Sequence, residues 1–79
     1  MFTAYTIYNK NSNKIYIGHT ADLNKRLKRH NAGAVRSTKA NRPYEIVYTE
    51  TYKTKSEAFL RELDIKKRKS RKYIESLIK

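Results

Sequence analysis

The sequence predicts an α+β domain spanning residues 1–79: a three-stranded antiparallel sheet flanked by helices, in the order ββαβαα. Three observations predict it. Two segments rich in β-branched and aromatic residues are separated by a short polar stretch, a third follows the single proline, and three further stretches space their apolar residues for helices.

Phe2–Asn9 and Lys14–His19 are the first two strands, and Lys10–Asn13 is the turn that makes them a hairpin. Alternation puts Tyr5 and Ile7 on one face of the first strand, and Tyr16 and Gly18 on one face of the second. The register that would decide whether these faces coincide stays open. Thr20 is the expected N-cap of a helix from about Ala21 to Asn31, with Asp22 suited to its first turn and Leu23 and Leu27 on one stripe. Gly33 suits the left-handed position that ends it. Ala34–Pro43 is polar and basic and reads as loop. Tyr44–Tyr52 is the third strand, with Tyr44, Ile46, Tyr48 and Glu50 expected on one face and Glu45, Val47, Thr49 and Thr51 on the other. Thr54 and Glu57 have capping-box spacing and open a second helix, whose expected apolar stripe is Ala58, Phe59, Leu63 and Ile65. After a basic run, Ser70 is the expected cap of a short last helix bearing Tyr73, Ile74, Leu77 and Ile78.

Charge narrows the function. Nineteen Lys and Arg against seven Asp and Glu give a net charge of +12, and an excess that large repels itself and suits a polyanionic partner. Phosphate backbones are the expected partner, because each neutralised phosphate releases counterions. The bland readings are a basic soluble surface or a small structural protein on ribosomal RNA. There is no cysteine, which excludes disulfides and thiolate metal sites. No apolar run approaches the ~20 residues of a membrane span, and the N-terminus lacks a signal-peptide pattern. A cytoplasmic protein without membrane contact is the expectation.

Three groups of residues carry chemical interest. Glu62 lies on or beside the apolar stripe of the second helix, where a carboxylate needs a positive neighbour. A salt bridge to Lys66, four residues on, satisfies that need, and so does one divalent cation. Arg26 and His30 are one helical turn apart; an Arg there can grip a phosphate in two places, and a His can relay a proton. The competing reading is a solvated cation and a packing histidine. Tyr5 and Tyr16 lie inside strands, where core or surface packing is the ordinary role.

The series Thr3-Ala4-Tyr5, ten intervening residues, then Tyr16-Ile17-Gly18 resembles the paired motif of the GIY-YIG nucleases. Asp22-Leu23, Lys25-Arg26-Leu27 and His30-Asn31 resemble the helix that follows that motif. Arg42-Pro43-Tyr44 and Val47-Tyr48 resemble the third strand of the family's small bacterial members. Ser56-Glu57-Ala58, Arg61-Glu62 and Lys66-Lys67 resemble its metal-site helix. The family includes homing endonucleases, restriction enzymes and the incision domain of bacterial excision-repair nucleases. The resemblance implies divalent-metal-dependent phosphodiester cleavage, with Mg²⁺ or Mn²⁺ as cofactor and DNA as partner, RNA not being excluded. It implies catalytic roles for Tyr5, Tyr16, Arg26, His30 and Glu62, with Glu62 as metal ligand and Gly18 as a structural motif residue. One tyrosine would take the nucleophile's proton, its pKa lowered by nearby cations; the choice between Tyr5 and Tyr16 is open. Arg26 would neutralise the scissile phosphate, and His30 would orient water or phosphate.

The chain departs from the family pattern at two places. Thr3 replaces the first motif glycine, and no Asn follows Glu62, the last being Asn41. A fold retained for nucleic-acid binding without cleavage is therefore the alternative reading. Lys14, Lys25, Arg29, Lys66, Lys67, Arg68, Lys69, Arg71 and Lys72 are the expected backbone contacts, gripping phosphate without reading bases. Sequence specificity would then come from a protein partner, from self-association or from nucleic-acid shape.

Overall fold

The computed structural model describes residues 1–34, 43–68 and 71–78. Its elements are β1 (Phe2–Asn9), β2 (Lys14–Thr20), α1 (Leu23–Asn31), β3 (Glu45–Tyr52), α2 (Lys55–Arg68) and α3 (Arg71–Ile78). The strands form one antiparallel sheet in the order β2-β1-β3, so β1 is central. This is the α+β architecture and element order that the sequence predicts. Among the described residues no helix is long and apolar enough to cross a membrane.

The β1–β2 turn is closed by side chains. Asn9 accepts backbone hydrogen bonds from Asn11 and Ser12 at 2.8 and 3.0 Å, and Asn13 takes the left-handed conformation at φ 60°. Tyr8 donates its hydroxyl to Asn13 Oδ1 at 2.9 Å. This turn fixes the register that the sequence left open. Tyr5 pairs with Gly18 and Ile7 with Tyr16, so the two expected faces coincide.

The sheet therefore has two differently used faces. Tyr5 and Ile7 are buried with Tyr44, and Tyr16, Leu23 and Leu27 pack against them, which places α1 on this side. Ala4, Thr6, Ile17 and His19 point to the other side, where α2 lies with Ala58, Glu62 and Ile65 buried. β3 departs from the expected alternation. Thr6 pairs with Tyr48 and Ile7 with Ile46, so Val47 is an extra residue in a bulge. The bulge keeps Tyr48, Glu50 and Tyr52 half-buried on the α2 side and leaves Ile46 exposed. Tyr44 lies just before the strand and is buried against Tyr5 and Ile7 instead. Asn31 holds it there, donating from Nδ2 to the Tyr44 carbonyl at 3.1 Å and accepting the Tyr44 N–H on Oδ1 at 2.6 Å.

The helix ends also differ in detail. Asp22, not Thr20, caps α1, accepting the Lys25 N–H at 3.1 Å, while Thr20 Oγ1 accepts the Asp22 N–H at 3.2 Å. Two polar residues thus share the work of one cap. At the other end Gly33 sits at φ 81°, with Gly33 N–H bonded to the His30 carbonyl and Ala34 N–H to that of Arg29, which is a Schellman ending. Thr54 and Glu57 cap α2 as expected, with Glu57 N–H donating to Thr54 Oγ1 at 3.2 Å. The expected stripe of α2 is corrected, because Phe59 and Leu63 are each 43 % exposed and Glu62 takes the buried position between Ala58 and Ile65. The expected Ser70 cap and the segment 35–42 lie outside the described residues.

A polar cluster ties β3 to α2. Tyr48 and Tyr52 each donate a hydroxyl hydrogen bond to Glu50. Arg61 grips the same carboxylate with Nε at 2.9 Å and Nη2 at 3.1 Å, and reaches Asp64 with Nη1 at 2.7 Å. Burial alone would raise the Glu50 carboxyl, but the Arg61 fork and the two hydroxyls reverse that and hold it at about 2. A carboxyl lowered from 4.5 to about 2 adds stability above its unfolded value and forfeits it as pH falls towards 2. We predict an acid loss over that window, held to about 1–2 kcal/mol by solvent screening of a partly exposed cluster. Urea midpoints from pH 7 to pH 2 check it. Glu50→Gln should be less stable at pH 7 and should lack this step, and an unchanged step would refute the assignment.

Candidate active site

Tyr5 sits mid-strand with its ring folded across Gly18. A Cβ built on Gly18 would stand 2.6 Å from Tyr5 Oη and 2.7 Å from its Cζ. Glycine is therefore required for the tyrosine to lie as it does. The Tyr5 hydroxyl meets His30 Nε2 at 2.9 Å, linking the central strand to the last turn of α1. Tyr16 completes an aromatic group, with ring centroids 6.3 Å from Tyr5 and 4.9 Å from His30.

Burial sets the charge state of this group. Tyr5 is 3 % exposed, and desolvation, aided by Tyr16 and Glu62, drives its hydroxyl well above the ordinary range despite Arg26. His30 is fully buried, and desolvation together with Arg26 and Arg29 lowers its pKa, favouring neutral imidazole. A neutral phenol thus faces an imidazole held towards neutrality. Two expectations are corrected. Cations do not prevail in lowering the Tyr5 pKa, because the buried ring is desolvated more than Arg26 compensates. His30 is enclosed against the rings of Tyr5 and Tyr16, and its burial does not suit the expected role of orienting water or phosphate directly.

Glu62 lies on the other side of the sheet. Its Oε1 accepts from His19 Nδ1 at 2.7 Å and its Oε2 from Lys66 Nζ at 2.9 Å. The Lys66 ion pair read from the i, i+4 spacing is present, joined by a histidine that the sequence reading passed over. Lys66 Nζ also lies 5.7 Å from the centre of the Tyr16 ring. Since β2 is an edge strand, Lys66 reaches round it and joins the Glu62 side to the Tyr5–Tyr16–His30 side.

Arg26 is half-buried on α1, and no carboxylate pairs with it among the described residues. It lines a recess of about 330 Å³ with Phe2, His19, Thr20, Ala21 and Lys55. A second recess, of about 230 Å³, is lined by Arg26, Lys25 and Arg29 with Thr20, Ala21 and Asp22. The fold thus gathers Arg26, the Glu62-bound His19, Lys25 and Arg29 at one end of the sheet. Lys14 lies elsewhere, paired with Asn9 at the hairpin turn.

The basic run of α2 divides. Lys66 is committed to Glu62, and Arg68 stands 3.5 Å from Asp64 and 4.4 Å over the Tyr73 ring. Lys67 and Lys72 are exposed. Lys69 and the side chain of Arg71 lie outside the described residues. Within the expected phosphate-binding run, nearby carboxylates compete for Lys66 and Arg68.

Among the described residues no group of three His, Asp or Glu side chains could hold a metal ion. The donor set is one carboxylate, whose oxygens retain acceptor capacity beyond the two bonds they accept. Magnesium keeps several waters and binds through as few as one or two carboxylates, so Glu62 fits a single hydrated ion and not a protein cage.

The motif-bearing hairpin, the arginine on the helix after it and the carboxylate on the later helix stand in the order in which the sequence resembles a nuclease family. The chain belongs to the GIY-YIG catalytic domain family, which it matches over residues 1–74, and that family implies a nucleic-acid substrate. It is 49 % identical over 57 residues to a UPF0213 protein of Staphylococcus epidermidis, covering 71 % of this chain and 70 % of that one. It is 47 % identical over 53 residues to a UPF0213 protein of Staphylococcus aureus, covering 66 % of this chain and 65 % of that one. The solution NMR structure of a UPF0213 protein from Bacillus halodurans shares the fold with a TM-score of 0.58 and 30 % identity, over 99 % of this chain and 83 % of that one.

Proposed function

We propose that the protein is a divalent-metal-dependent endonuclease that hydrolyses phosphodiester bonds in DNA. The observation that carries this reading is Arg26: a half-buried guanidinium with no carboxylate partner among the described residues, lining a recess with His19, which is bonded to Glu62. A partly buried cation with no carboxylate partner among the described residues is free to take an anion, and a guanidinium suits the planar grip of a phosphate.

Each residue has one task. Arg26 holds the scissile phosphate and offsets its growing charge, with Lys25 and Arg29 drawing in the neighbouring backbone. Tyr16 is the tyrosine that takes the nucleophile's proton, since it is half-buried while Tyr5 is enclosed and its hydroxyl is pushed up. Tyr5 and His30 brace the ring of Tyr16 and fix the strand against α1. Glu62 would hold the magnesium or manganese ion, with His19 orienting the carboxylate through Oε1. Such an ion supplies a Lewis acid for the phosphate and leaving oxygens.

One observation favours a second reading, a nucleic-acid-binding module that does not cut. Both Glu62 oxygens already accept bonds from cationic or histidine donors, so Lys66 competes with any metal. Cleavage of supercoiled, branched and single-stranded DNA, and of RNA, with Mg²⁺ or Mn²⁺ separates the two. We expect metal-dependent DNA cleavage that falls roughly a hundredfold or more in Arg26→Ala. Binding without cleavage by the wild type would establish the second reading, and cleavage unaffected by Arg26→Ala would sink the first.

A further inference from the structure

One half-exposed aromatic ring has no part in the chemistry above. Phe59 is 43 % exposed on α2 and meets the His19 ring edge-to-face, with centroids 5.4 Å apart and planes at 62°. With His19, Lys55 and Ser56 it lines a recess of about 380 Å³. His19 and Lys55 also line the recess that contains Arg26, so the two hollows share a wall. Lys55, Phe59, Leu63 and Lys67 follow one another at four-residue steps on one face of α2. An aromatic and aliphatic strip is thus flanked by a lysine at each end.

Resting on the nucleic-acid reading above, we infer that this recess is a subsite for one unstacked nucleobase of the bound DNA. Phe59 is its stacking platform, and Lys55 and Arg26 hold the phosphates beside it. The arrangement combines the two features of single-strand recognition, an aromatic face for a base and cations tracking the backbone. The occupant follows from charge. The strip lies among lysines on a chain of net charge +12, which repels a second copy and attracts a polyanion. His19 braces Phe59 on one side and bonds Glu62 on the other, so a base seated here is continuous with the proposed site of cleavage.

The test uses the full chain without metal, so that no cleavage occurs. Two duplex DNA probes carry 2-aminopurine, one as a single unpaired nucleotide and one fully paired within the same sequence. The wild type should bind the unpaired probe more tightly and change its fluorescence by stacking. Phe59→Leu, which keeps an apolar contact with His19, should lose roughly tenfold in affinity for the unpaired probe only. Phe59→Trp should preserve the affinity and strengthen the fluorescence change. Equal effects of Phe59→Leu on both probes, or no effect on either, overturn the subsite. A change confined to self-association in sedimentation also overturns it, assigning the strip to protein contact. If Phe59→Leu does not fold, an unaltered signal in Phe59→Trp serves as the overturning result. A wild type that binds neither probe instead removes the nucleic-acid reading itself.

Discussion

Glu62→Gln leaves a folded protein that cuts DNA roughly a hundredfold or more slowly than the wild type; this is the expected result if the proposed chemistry is right. Glutamine keeps the shape of the side chain, and its carbonyl can accept from either His19 Nδ1 or Lys66 Nζ, the two groups now bonded to Glu62 at 2.7 and 2.9 Å. Packing against the sheet beside Ala58 and Ile65 is therefore preserved. What is lost is the negative charge, and with it the one carboxylate that could hold a divalent ion at this site. Glu62→Ala is the poorer variant, because it leaves a buried gap and removes the partner of two donors at once. Cleavage and DNA binding should be measured together. A fall in cleavage with binding unchanged or tightened supports the assignment, since removing an anion from a phosphate-binding surface should not weaken binding. Wild-type cleavage rates in Glu62→Gln would show that this carboxylate serves only to anchor His19 and Lys66.

The hairpin, the first helix and the third strand were legible because each is written locally. β-branched and aromatic runs, a polar turn, cap residues and Gly33 act within a few positions of themselves. The pairing of the site was not local. Nothing near His19 marks it out; its partner Glu62 lies 43 residues away and is met only when α2 docks across the sheet. One signal was available, since alternation places a polar His19 on the same face as Ile17. The stripe of α2 was misread for a related reason. Periodicity ranks Phe59 and Leu63 above a glutamate, but a carboxylate neutralised from two sides can occupy the buried position and turn the phenylalanine outwards. The bulge at Val47 likewise has no local cue, because the residues around it alternate correctly on paper. The Glu50 cluster was invisible for want of its partners, two tyrosines two positions away on the strand and an arginine on another element. Tyr5, Tyr16, Arg26, His30 and Glu62 stand out by position, but their expected roles come from the resemblance. The structure then buries Tyr5, His30 and Glu62 and leaves Tyr16 and Arg26 half-buried.

The second large effect concerns the smallest residue of the motif. We predict that Gly18→Ala destabilises the fold by about 2–3 kcal/mol, as overpacking at a buried position with little room to yield. The added methyl would stand 2.6 Å from Tyr5 Oη, 2.7 Å from Tyr5 Cζ and 3.1 Å from Tyr16 Cε2. Distances under 3 Å force movement, and each escape has a cost. Tyr5 is 3 % exposed and tied by its hydroxyl to the fully buried His30, so swinging the ring away breaks that bond and disturbs the seat of α1. Moving β2 instead strains the pairing of Tyr5 with Gly18 and of Ala4 with His19, and so shifts the histidine that orients Glu62. A second substitution tests the clash itself. Tyr5→Leu in the Gly18→Ala background removes the atoms that the methyl meets and recovers much of the lost stability, though Tyr5→Leu alone is destabilising. Losses that simply add would show that the methyl does not meet the ring. Urea unfolding of the four proteins reads the difference as a coupling energy. A Gly18→Ala variant as stable as the wild type would mean that the tyrosine does not cross the glycine, and the buried Tyr5–His30 contact would fall with it.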